Sequence, residues 1–220
     1  MKNLFYVLLL IGLFCLLFFS NIQIWLFGRG VSWYWSHIMP YLIATVCTVI
    51  GLSLLIFVKL ERRFKIVLFS LFLTFPPTFF AIHPIYAGDF SDNSSKIIVK
   101  QLPSNLYDLK DGLTMISLAN CEYCYEALKT LEFIKKRAQS TEVSVAVLTT
   151  NSAVIDYYNE ETNNAFNIFM IDSAHLETWS ELSPNQQFPC FLYLEDKKIV
   201  KKWSNQQFGY LAKDFVESGK

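Results

Sequence analysis

Apolar positions run almost unbroken to about residue 87, and beyond that they alternate with polar ones. Leu4 to Phe27, Val31 to Val58 and Ile66 to Tyr86 contain no acidic, lysine or arginine residue. A helix needs about 20 apolar residues to cross roughly 30 Å of hydrocarbon. The pattern predicts three spans, at about 4–27, 38–58 and 66–86, in an all-α membrane domain over 1–87. The first run is longer than the apolar core of a signal peptide, roughly 7–15 residues, and no small-x-small cleavage site follows it. Pro76-Pro77 in the third run removes backbone donors, which predicts a kinked or broken helix, or a re-entrant turn. No ionisable residue falls deep in a span; His37 and His83 lie near an interface.

Gly88 to Lys96 is polar and turn-rich and reads as a linker, 88–96. The remainder, 97–220, alternates between two periods. Strands are predicted at 113–119, 143–148, 168–171, 191–194 and 198–203, the last two joined by a turn at 195–197. Helices are predicted at 124–138, 152–162, 174–182 and 208–217. Strands alternating with helices imply an α/β domain, a central mixed sheet with helices on both faces. The chain holds no repeat and no low-complexity tract.

Charge sharpens the division. Of 220 residues, 53% are hydrophobic and 17% charged, against about 25% charged in an ordinary soluble domain. Residues 1–88 hold six basic side chains and one acid, and the rest hold thirteen and eighteen, so the net charge of zero is a cancellation. Disorder is excluded by 16% aromatic residues. A nucleic-acid role has no basic stripe outside one short loop, 59–65. That loop, with Lys59, Arg62, Arg63 and Lys65, belongs in the cytoplasm by the positive-inside rule. The N-terminus is then cytoplasmic and the C-terminal domain periplasmic or extracytoplasmic, with Trp33, Tyr34 and Trp35 at the outer aromatic belt. The expected location is a bacterial inner (cytoplasmic) membrane, multi-pass. One span would suffice as an anchor, so three suggest an integral-membrane partner as well as contact with the lipid bilayer.

The strand ending near Ala119 leads through Asn120 into Cys121-Glu122-Tyr123-Cys124, where a helix begins. A thiolate at a helix N-terminus faces unpaired N–H groups and the positive end of the dipole, which lowers its pKa. Cys121 would then attack, and Cys124, more buried, would resolve the mixed disulfide. Glu122 beside the sulfurs opposes the dipole. Zinc usually takes four ligands, and here only Cys190 and His175 could join the pair, so no metal and no cofactor is expected. No CxxCH haem-attachment motif is present. Cys15 and Cys47 fall at similar depth in two spans and read either as a transmembrane dithiol relay or as two buried thiols. Cys190 reads as a third redox thiol or a core cysteine. Glu126 reads as a proton acceptor or a solvated charge.

The placed CxxC, the stretch Asn105–Gly112 before its strand and Phe188-Pro189-Cys190-Phe-Leu-Tyr-Leu194 together resemble the thioredoxin superfamily. Within it the chain is similar to membrane-anchored TlpA/ResA-like thiol–disulfide oxidoreductases, over about 97–218. The resemblance implies a thioredoxin-like fold and a redox-active disulfide at Cys121 and Cys124. It also implies a cis-proline at Pro189, and substrate contacts from Phe188, Glu122 and Tyr123. Three departures stand out: Asn120 where the family often has Trp, Glu122-Tyr123 between the cysteines, and Met115 where many members bury a carboxylate. The implied function is dithiol/disulfide exchange with protein substrates, in the reducing direction. The alternative is a non-catalytic assembly subunit of a membrane complex, its thioredoxin-like domain docking a partner.

Overall fold

The computed structural model describes residues 2–59, 61–85, 100–101, 109–138, 141–171, 177, 179 and 187–218. The chain divides into two compact units, Met1–Tyr86 and Ala87–Lys220.

The first unit is helical: α1 (Lys2–Leu17), α2 (Phe19–Gly28), α3 (Trp33–Phe57) and α4 (Arg62–Ile82). At 1.5 Å per residue, α3 and α4 reach about 37 and 31 Å, enough to span a membrane. Both are strongly apolar. Their outward faces carry Val46, Val49, Ile56, Phe69 and Leu73, all exposed, where a helix in water would show polar residues. These helices fit membrane anchoring. The single span expected over 4–27 is instead two helices meeting at 78°. No proline or glycine marks that joint, at Phe18; the signal is the polar group Ser20, Asn21 and Gln23 on α2. Together the pair could form one bent span, giving two or three in all. The break or re-entrant turn expected at Pro76-Pro77 is also corrected: α4 runs through both prolines. Proline's φ suits a helix, and only the carbonyls of Phe72 and Leu73 lose their usual donors.

Two glycines let these helices approach closely. A Cβ on Gly12 would lie 2.9 Å from the Phe75 ring, and one on Gly51 only 2.4 Å from Phe72. Phe72 thereby joins a buried cluster with Phe5, Leu8, Cys47, Leu55 and Leu68. Cys15 belongs to another, with Phe19, Tyr41, Ala44 and Phe79. Ser32 caps α3, its Oγ accepting from Trp35 N at 3.3 Å.

The second unit is a six-stranded mixed sheet with helices. Its elements are β1 (Lys100–Gln101), β2 (Gly112–Leu118), α5 (Glu122–Arg137), β3 (Val143–Leu148), α6 (Ser152–Glu161), β4 (Asn167–Ile171), β5 (Cys190–Glu195), β6 (Lys198–Ser204) and α7 (Tyr210–Ser218). The strand order is β1-β6-β5-β2-β3-β4. β2, β3 and β4 are parallel, joined through α5 and α6, while β5 lies antiparallel to β2 and to β6. Every residue of β3, and all but the last of β2 and β5, is buried, so these strands are covered on both faces. One face gathers Ile116, Ala146, Leu148, Cys190, Leu192 and Leu194 in a cluster with Trp179. On the other, Phe191 stacks on Phe208 at 3.9 Å and Tyr193 meets Phe215 of α7 edge-on at 5.2 Å. Arg137 at the end of α5 pairs with Glu217 of α7 at 3.0 Å.

Observed elements follow the predicted pattern closely, with two additions: the short edge strand β1, and an earlier start to α5, which begins at Glu122 rather than Cys124. The linker 88–96, residues 105–108 and His175 lie outside the described residues, as does most of the helix predicted at 174–182.

Candidate functional site: a helix-capping disulfide

β2 delivers the chain to the site and ends at Leu118. Asn120 follows with φ 58°, a left-handed conformation that asparagine tolerates and tryptophan does not favour. This turn gives a physical reason for asparagine at position 120. It aims the chain into α5, with Cys121 as N-cap; its carbonyl accepts from Cys124 N at 3.0 Å and Tyr125 N at 3.2 Å. Cys121 and Cys124 are disulfide-bonded, their Cα atoms 5.2 Å apart. Cys121 is half-buried, and Cys124, on the first turn, is fully buried. Of the pair, Cys121 is thus the residue nearer solvent and Cys124 the one enclosed by the fold.

α5 has Glu122 in its first turn and Lys135, Lys136 and Arg137 in its last, the charge order that suits the helix dipole. The same Glu122 sits beside Cys121, where its negative charge works against a thiolate. Glu122 and Glu126 are exposed, and Tyr123 is 64% exposed. Met115 is fully buried opposite Phe191, so an apolar side chain stands at this point of the strand.

The end of β2 is tied down by a tyrosine that the sequence pattern does not single out. Tyr158 of α6 is buried, its Oη lies 2.6 Å from Ser117 Oγ, and it donates to Leu118 O at 3.2 Å. Burial pushes its phenol up to about 12, with the Ser117 bond pulling the other way. Tyr125, next to Cys124, packs against Tyr158 at 4.9 Å and meets Tyr157 edge-on at 5.3 Å. The buried hydroxyls of β2, Thr114 and Ser117, are the only signal: each calls for a partner, and Ser117 finds one in Tyr158.

The segment before β5 approaches from the other side. Cys190 pairs with Ile116 in an antiparallel register, so Pro189 and Phe188 fall toward the end of β2 from which Cys121 springs. The Phe188–Pro189 peptide is cis; Pro189 is buried and Phe188 half-buried against the apolar cluster. Cys190 is a fully buried thiol within that cluster. Cys15 and Cys47, buried thiols of the helical unit, lie in different clusters of it. Among the described residues, no three His, Cys, Asp or Glu side chains are grouped to hold a metal.

No protein-family model matches the chain, and no curated protein matches it. Among solved structures it is similar to a secreted disulfide oxidoreductase of Mycobacterium tuberculosis, described as homologous to E. coli DsbE. The identity is 8% and the TM-score 0.38, over 48% of this chain and 76% of that one. At that similarity the neighbour lends no function, and the chemistry must be read from the sulfurs of this chain and their surroundings.

Proposed function

We propose that the chain is a membrane-anchored thiol–disulfide oxidoreductase, its thioredoxin-like second unit facing the extracytoplasmic side. The carrying observation is the Cys121–Cys124 disulfide at the N-terminus of α5, with Cys121 half-buried and Cys124 fully buried. The β2-α5-β3 and β5-β6-α7 halves of the sheet unit support the thioredoxin-like reading. The basic 59–65 loop supports the orientation.

In the reducing direction Cys121 thiolate attacks a substrate disulfide, forming a mixed disulfide and expelling one substrate thiolate. Cys124 thiolate then attacks Cys121 Sγ and expels the second. Two electrons pass from the chain to the substrate, and the chain ends with Cys121 and Cys124 disulfide-bonded. In this reading Phe188, Pro189, Glu122 and Tyr123 serve as substrate contacts. Substrates are protein thiols and disulfides. A lateral membrane partner would supply electrons to return the pair to dithiol.

A second reading, a docking subunit with a static disulfide, draws on Met115 and Glu122, both unfavourable to thiolate turnover. Trapping separates the two. With Cys124→Ser, the exchange reading expects covalent adducts through Cys121 in membranes under non-reducing conditions, lost on further change of Cys121 to Ser. A complete lack of adducts across growth conditions favours the docking subunit.

A further inference from the structure

The helix that Cys121 opens and its neighbour α6 both carry exposed acidic side chains. Glu122 and Glu126 are exposed on the first turns of α5. On neighbouring α6, Asp156, Glu160 and Glu161 are exposed. Neither α6 nor residues 122–128 contains a cation; Lys129 is the first on α5, and Lys135 and Lys136 lie farther along it, beside the loop 162–165 that follows α6. Three tyrosines run between these carboxylates: Tyr123 at 64% exposure, Tyr125, and Tyr157 at 46%. Tyr125 and Tyr157 touch, which joins the α6 group to the turn that holds the disulfide. The Glu161 carboxylate beside Tyr157 pushes its phenol up, and this half-exposed ring pairs a carboxylate with an aromatic surface. On the opposite border, Gln187, Phe188 and Pro189 carry no charge.

We infer that this rim selects cysteine-bearing segments flanked by lysine or arginine, a substrate class that rests on the exchange reading. The reactive sulfur fixes where the substrate cysteine must lie. Glu122 and Glu126 on its own helix, and Glu161 beyond the Tyr125–Tyr157 contact, attract cations, and the exposed tyrosines Tyr123 and Tyr157 offer them ring surface. Charges at a rim act chiefly on the association rate, and salt screens them. An acidic substrate meets the same rim as repulsion.

The experiment uses the full-length reduced chain in neutral detergent and peptides holding one internal disulfide. The peptides differ only in flanking residues: lysine, serine or glutamate. Chain dithiol plus peptide disulfide gives chain disulfide plus peptide dithiol, read by acid quench and alkylation. The lysine peptide is expected to oxidise the chain roughly threefold or more faster than the serine peptide, and the glutamate peptide more slowly. That ordering should collapse at about 0.5 M salt, where charges are screened beyond a few ångströms. It should also shrink in the double variant Glu126→Gln, Glu161→Gln. Equal rates for the three peptides, or a faster glutamate peptide, overturn the charge selection and leave the exchange reading standing. No reaction with any peptide overturns the exchange reading, and this inference with it.

Discussion

Single residues hold the site in place. Tyr158 bridges α6 to the last residues of β2, three residues short of Cys121. Tyr158→Phe removes both bonds and leaves Ser117 Oγ only its bond to Leu118 O. Its expected cost is roughly 1–2 kcal/mol of stability in the sheet unit, measured by chemical unfolding. The same phenol, raised from 10.0 to about 12, gives a pH dependence. The folded state prefers the protonated form, so this contribution is intact below pH 10 and is lost as pH rises toward 12. Tyr158→Phe should therefore unfold with a shallower alkaline slope than the parent chain, and an equal slope would refute the assignment. Gly112 acts sterically: at φ +117°, a Cβ there would lie 2.3 Å from Glu142 O, whose bond to Leu113 N starts the β2–β3 pairing. Gly112→Ala should cost about 1–3 kcal/mol, read in the same assay. Neither residue is legible in the sequence, because a glycine or tyrosine does not announce its neighbour across the fold.

Among the elements, α5 and the sheet strands are the most legible. Their apolar spacing sets both type and approximate limits, and the CxxC falls where strand pattern changes to helix pattern. α5 starts earlier than its apolar spacing predicts because the cap is Cys121 itself, and cysteine is a poor sequence marker for an N-cap. Glu122→Gln removes the carboxylate opposing a thiolate at this cap. The reduced chain should then alkylate faster at Cys121 at neutral pH, with a lower apparent thiol pKa. An unchanged pH profile would show that Glu122 does not influence the sulfur. The helical unit is legible in composition but not in shape. Hydropathy sees an apolar run at 4–27, whereas packing sets the bend at Phe18. Hydropathy is equally blind to Gly51, which admits Phe72 between helices. Gly51→Val should push α3 and α4 apart and lower the melting temperature of the full chain in detergent, an overpacking cost of about 1–3 kcal/mol.

For the molecule as a whole, the two compact units differ sharply in composition. One unit turns apolar side chains outward, and the other buries a mixed sheet beneath helices. This division is visible in charge and hydropathy because both are sums over many residues. The candidate site is visible in part, since two cysteines at a strand-to-helix junction are local in sequence. Its surroundings are hidden: Tyr157 meets Tyr125 only through the folding of α6, and Phe188 comes toward the end of β2 only through the β5 register. A fold can host many roles, so the claim of exchange chemistry stands on the sulfurs. The most direct test equilibrates the full-length chain in detergent with graded dithiol buffers and counts the Cys121 and Cys124 thiols by alkylation and mass spectrometry. Exchange chemistry predicts reversible two-electron opening at a potential between about −120 and −270 mV, the range of exchange catalysts. A disulfide still closed below about −300 mV would behave as a structural bond and contradict it.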